Sequence, residues 1–68
     1  MSIAKVIEIS ATSDKSFEDA IVQGLARASR TVENIRSAWV KEQRVDVENG
    51  RVKAFQVNMA VTFVLKEG

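Results

Sequence analysis

IRSAWVKEQRVDVENGRVKAFQVNMAVTFVLK, residues 35–66, decides the fold of this chain. Near its middle Asn49-Gly50 stands between Val47-Glu48 and Arg51-Val52. That dipeptide suits a two-residue type I′ turn, which needs positive φ at both central positions. The period of two on either side predicts two long antiparallel strands, 35–48 and 51–66. In the second, Phe55, Val57, Met59, Val61, Phe63 and Leu65 share one face, and Ala54, Gln56, Asn58, Ala60 and Thr62 share the other. The first set is the core face.

Counting outward from the turn puts Glu48 opposite Arg51, Val40 opposite Met59, Trp39 opposite Ala60 and Ala38 opposite Val61. Trp39, the one tryptophan of the chain, then shares the second face with Ser37, Lys41, Gln43, Gln56, Asn58 and Thr62. A large aromatic there wants a cover: a neighbouring subunit, a flat ligand, or the core itself if the pairing shifts. The apolar positions change parity between Ala38-Val40 and Val45-Val47, which predicts a bend or bulge near residues 42–44. If that irregularity carries Trp39 across, the indole joins the core.

Working toward the N-terminus, residues 3–11 are β-branched and partly alternating, the mark of a first strand, followed by the polar run Thr12, Ser13, Asp14, Lys15. Ser16 and Asp19 have capping-box spacing, with Glu18 and Asp19 where the helix dipole favours negative charge. Phe17, Ala20, Ile21, Gly24, Leu25, Ala28 and Val32 recur at helical steps, so an amphipathic helix is expected over 16–33. Gly24 and the alanines on that stripe permit close approach to a sheet. The fold class is α+β: β-α-β-β, a three-stranded antiparallel sheet with one helix on one face, a single domain over 1–68. Strand order is left open.

At 68 residues a monomer buries only about 60% of the surface its unfolded chain exposes, so its margin is thin. Small chains compensate with disulfides, a metal or oligomerisation. Cysteine and histidine are both absent, which excludes disulfides and thiolate or imidazole metal sites. Oligomerisation is the expected remedy. Ten basic and nine acidic residues give a net charge of +1, dispersed along the chain, so no footprint for nucleic acid or an anionic membrane is visible. No leader pattern and no apolar run of about 18 residues is present. A soluble, cytoplasmic protein is the expectation.

Catalysis fares poorly, since no serine has a histidine partner and no thiol is present. Glu42 and Asp46, or Asp46 and Glu48, would share a strand face, but Arg44, Lys53 and Arg51 stand near enough for cross-strand ion pairs. Calcium needs only oxygen ligands, so these carboxylates keep a metal reading open, with no ligand set identified. The second face offers more: an indole for stacking, two carboxamides at Gln56 and Asn58, and hydroxyls at Ser37 and Thr62. This mixture suits a flat heterocycle with hydrogen-bonding edges, and equally a wet subunit interface.

Val6-Ile7-Glu8-Ile9, Thr12-Ser13, Ala26-Arg27-Ala28, Thr31-Val32 and Phe55-Gln56-Val57 together resemble the dodecin family, over about residues 3–65. The resemblance implies a homododecamer that forms a hollow sphere, is not an enzyme, and binds flavin for storage and protection. In that family each isoalloxazine is sandwiched by a tryptophan and hydrogen-bonded by a glutamine. The glutamine falls on Gln56 and a frequent arginine on Arg44, but the stacking tryptophan falls on Ser37. Trp39 lies two residues away, about 6.6 Å along the strand. The cofactor-binding candidates are therefore Ser37, Trp39, Arg44, Gln56 and Asn58, with FMN or riboflavin as the implied ligand. Ile35-Arg36-Ser37-Ala38 with Glu42-Gln43 also resembles a tryptophan-free branch of the family described as calcium-binding. The alternative reading is therefore a flavin-free shell that holds calcium or no ligand, with Trp39 in a subunit contact.

Overall fold

A computed structural model describes residues 2–65 and contains β1 (Ala4–Ser13), α1 (Phe17–Ala28), β2 (Ile35–Glu48) and β3 (Arg51–Val64). The sheet is antiparallel with order β1-β3-β2, so the last strand is central and the first two are edges. This is the expected β-α-β-β arrangement, and the structure supplies the order that the sequence left open. Asn49 (φ 53°) and Gly50 (φ 76°) make the expected turn, and Glu48 faces Arg51. Lys66, which the sequence reading placed in the last strand, lies outside the described residues.

Val57, Met59 and Val61 of β3 and Ala20 of α1 are fully buried. Ile7, Ile9, Ala11, Phe17, Ile21, Leu25, Ile35, Ala38 and Val40 pack around them, and Phe17 meets Phe55 edge-on at 5.2 Å. The central position of β3 explains why its odd residues are the driest, since strands on both sides shield them. Gly24 lets the helix approach: a Cβ there would lie 2.8 Å from the Ala11 Cβ and 3.2 Å from the Met59 Cε.

Three elements end elsewhere than the sequence reading placed them, β3 closing at Val64 with Leu65 outside it. β1 runs on to Ser13, because Thr12 and Ser13 continue pairing with Gln56 and Phe55. The helix stops at Ala28 rather than reaching 33. There the Ser29 hydroxyl donates to the Leu25 carbonyl at 2.8 Å, the Thr31 and Val32 amides both turn to the Ala28 carbonyl, and Asn34 adopts φ 63°. Hydroxyls that bond back to the helix compete with its propagation, and the β-branched pair Thr31-Val32 resists it further.

At the other end the Asp19 amide donates to Ser16 Oγ at 2.9 Å, as the spacing predicted. The reciprocal arm is absent: the Asp19 carboxylate instead accepts from the buried Ser13 hydroxyl at 2.6 Å, and Ser13 Oγ accepts from the Lys15 amide. One helix amide thus depends on Ser16, and Ser16→Ala should cost about 1 kcal/mol. The expected result is a lower thermal midpoint at fixed protein concentration; an unchanged midpoint would show that water replaces the cap.

The chain is extended, 53 × 20 × 13 Å with a radius of gyration of 14.1 Å, where a compact domain of this length would have about 11 Å. Its 5148 Å² of accessible surface exceeds the roughly 4,200 Å² usual for its mass. The excess comes from the outer parts of β2 and β3, where Val45, Val47 and Val52 are exposed. One helix of 12 residues cannot roof strands of 14, because a helix rises about 1.5 Å per residue against about 3.3 Å in a strand.

Candidate functional site

The sheet face turned away from α1 is built by even-numbered residues of β1 and, from Ala54 onward, of β3, since their odd partners face the helix. On β2 the faces are set by irregularities in pairing. Glu48 and Val47 pair in simple register with Arg51 and Val52, but Asp46 pairs with Ala54, which leaves Lys53 unmatched. The shifted register holds through Glu42 opposite Asn58 and then reverts, so that Val40 faces Met59 and Lys41 is the extra residue. The two offsets cancel. Trp39 consequently faces Ala60 as the simple count predicted, while the segment between the offsets is displaced by one.

The expected irregularity therefore exists, near Lys41, but it does not carry Trp39 into the core. The indole stays on the second face and is 69% exposed. What changes sides is the stretch beyond it. Gln43, assigned to the second face by strict alternation, stands opposite Val57 on the core side, and Arg44 takes its place opposite Gln56. A one-residue slip inverts every side chain it spans.

That exchange brings polar groups together. Arg44 Nε donates to Gln56 Oε1 at 2.7 Å, and Gln56 Nε2 donates to Ser10 Oγ at 2.8 Å. Asn58 Nδ2 donates to Glu42 Oε1 at 3.0 Å. The Gln56 carboxamide is thus held in one orientation from both neighbouring strands, with capacity left for one further donor and one further acceptor contact. Farther along the same face Lys41 pairs with Glu8 across the central strand at 3.4 Å. That pair lines one side of a hollow of about 430 Å³, with Val6, Ser37, Trp39, Ala60 and Thr62 around the rest. Glu48 pairs with Lys53 at 3.0 Å near the turn, one of the ion pairs that the sequence suggested.

The structure does not bring all five candidate residues to one point. Arg44, Gln56 and Asn58 form one group; Ser37 and Trp39 form another. Ala60, opposite Trp39, is four residues from Gln56, about 13 Å of strand, and Thr62, opposite Ser37, is six, about 20 Å. Sequence reasoning missed Ser10, Glu8 and Val6, which join the face only because β1 pairs with β3. Their even parity beside Ile7 and Ile9 was the available signal, and it lacked meaning until the strand order was known. A second hollow lies between α1 and β1, lined by groups such as Ile9, Ala11, Gly24 and Arg27, and it presents no aromatic face. Among the described residues no three Asp, Glu, His or Cys side chains gather as a metal set. Among them, no helix is long and apolar enough to cross a membrane.

A helix on one face of a three-stranded antiparallel sheet, with an exposed aromatic and carboxamides on the other, defines a class of small α+β protein with one open sheet face. The dodecin family model matches residues 3–66. The dodecin of Thermus thermophilus is 37% identical over 65 residues, covering 96% of this chain and 94% of that one. A crystal structure of an arginine-to-alanine mutant of that dodecin superposes with a TM-score of 0.94 over the whole of both chains, at 35% identity. The calcium dodecin of Mycobacterium tuberculosis is 35% identical over 66 residues, covering 97% of this chain and 93% of that one. The crystal structure of that calcium dodecin, described as having a calcium-binding site, gives a TM-score of 0.82 over 98% and 96% of the two chains. This chain belongs to the dodecin family.

Proposed function

We propose that this protein is a homododecameric, non-catalytic store for a flavin, FMN or riboflavin, which it binds on the second sheet face and shields from side reactions in the cytoplasm. The observation that carries the reading is the exposed Trp39 indole on the same face as a Gln56 carboxamide already pinned by Arg44 and Ser10. Flat heterocycles use both features, a ring surface and a donor-acceptor edge. The extended, under-buried monomer supports assembly, because its thin core and uncovered sheet need other copies.

Gln56 and the hollow at Ser37 are about 20 Å apart in one chain. A single ring that meets both must draw them from different copies, which ties ligand binding to assembly. Asn58, held by Glu42, lines the same face beside Gln56. Ser37 leaves space where the family's stacking ring would stand, and Trp39 supplies aromatic surface two residues along. Added to excess riboflavin, the purified protein should quench flavin fluorescence at micromolar concentration and emerge yellow after desalting. Absence of quenching at that concentration would sink the reading.

Calcium is the second reading, favoured by the 35% identity to a calcium dodecin and by Glu42 and Asp46 on one sheet face. Against it, Glu42 is engaged by Asn58, and the backbone superposes less closely on the calcium dodecin than on the Thermus dodecin. Saturable calcium uptake in equilibrium dialysis, without flavin quenching, would replace the first reading by this one.

A further inference from the structure

We infer that the hollow beside Trp39 is a subsite for the anionic substituent of a planar ligand, with the Lys41 ammonium as the group that meets the charge and Glu8 as the residue that holds it ready. The inference rests on the flavin reading above and goes beyond it by naming the ligand's charged part and its contact. Three observations carry it. The hollow has an apolar floor, Val6 and Ala60, and one aromatic wall, Trp39, so a flat ring that enters loses water on its faces while its substituents remain near the rim. Lys41 is the extra residue of the β2 bulge, and its ammonium reaches over the central strand to Glu8 at 3.4 Å. Bulges re-aim side chains, and this one sets a cation at the lip of the hollow.

Among the described residues Lys41 is the one cation that lines the hollow, and Arg44 is less suited to the task. Arg44 has its Nε committed to the Gln56 carboxamide that it orients. Lys41 has three N–H donors and one carboxylate partner, and its side chain is 38% exposed. A phosphate or carboxylate on the ligand would share the ammonium with Glu8 or displace it. Glu8 therefore has two effects, aiming the lysine in the empty site and competing with the incoming anion.

Titrating the assembled protein with FMN and with riboflavin, which differ by one phosphate, tests this directly. FMN should bind about fivefold tighter than riboflavin, the size of one partly exposed charge pair. Lys41→Met should abolish that preference and leave riboflavin affinity unchanged, Lys41→Arg should keep it, and Glu8→Gln should increase it by removing the competitor. Arg44→Met should leave the FMN-to-riboflavin ratio intact even if both affinities fall. Equal affinities in the parent protein, a preference that survives in Lys41→Met, or one lost in Arg44→Met would each overturn the inference while the flavin reading stands. Failure of both flavins to bind would overturn the two together. Size-exclusion chromatography of each variant confirms that assembled protein is compared, and Lys41→Arg separates loss of charge from loss of packing should Lys41→Met disturb assembly.

Discussion

Trp39→Ala should weaken riboflavin binding by about five- to 150-fold while the protein still elutes as the parent oligomer. Loss of one stacked aromatic face removes about 1 to 3 kcal/mol, by analogy with bases stacked on protein rings. The indole is 69% exposed and faces Ala60, whose small side chain gives it little intramolecular support. Its removal therefore opens no cavity in the folded chain. Fluorescence titration together with size-exclusion chromatography reads both halves of the expectation. If the variant dissociates with or without flavin, Trp39 is an interface residue and the flavin-free shell becomes the better description. If affinity is unchanged and the oligomer intact, the ring stacks elsewhere.

The second large effect belongs to the helix packing. Gly24→Val should destabilise the protein by about 3 kcal/mol, the upper part of the usual range for overpacking, and lower both the yield of assembled protein and its thermal midpoint. A Cβ at this position would lie 2.8 Å from the Ala11 Cβ. That atom is fixed to the β1 backbone and has no rotamer with which to retreat. The Met59 Cε, at 3.2 Å, is the end of a flexible chain and can give way, but Met59 is fully buried, so its displacement disturbs the core. Gly24→Ala adds helix propensity of up to about 1 kcal/mol but meets the same contact, so it too should lose stability, to a smaller extent. A Gly24→Val protein that melts with the parent would mean that α1 lifts from the sheet without loss, contrary to the packing described.

The hairpin shows where sequence reading succeeds and where it stops. Asn49-Gly50 is local chemistry, and the turn formed as expected. Pairing at Glu48 and again at Val40, Trp39 and Ala38 followed the simple count, but Gln43 did not. Between those points two one-residue offsets, at Lys53 and Lys41, cancel, so a count made from the turn is correct near it and again from Val40 to Ser37, but wrong in the middle. It is wrong once more at Ile35, which a third offset at Arg36 pairs with Phe63. The change of apolar parity hinted at the irregularity. The face of Arg44 depended on its exact place, and parity alone locates a bulge only to within a few residues. The helix end was missed for a related reason: Val32 continues the apolar stripe, while Ser29, Thr31 and Asn34 end the helix through hydrogen bonds and backbone torsions that hydrophobic periodicity does not report.

The candidate site was legible as a list of residues more than as a place. Gln56, Asn58 and Ser37 were assigned by alternation, Arg44 through the family resemblance, and Trp39 by its parity, and all five lie on the second sheet face. Their division into two groups, with Gln56 about 13 to 20 Å of strand from the residues opposite Trp39 and Ser37, and the arrival of Ser10 and Glu8 from β1, were not legible. What this sequence determined by itself is the local order: strand, capped helix, strand, Asn-Gly turn, strand, and a dry odd-numbered face on the last of them. Those features follow from periodicity, turn chemistry and capping, each of which acts over a few residues. Only the tertiary structure decided that β3 lies between β1 and β2, that Arg44 rather than Gln43 orients Gln56, and that Lys41 reaches Glu8 beside Trp39. These relations join residues far apart in the chain. They arise from strand pairing and from two bulges whose positions are fixed by packing across the whole sheet.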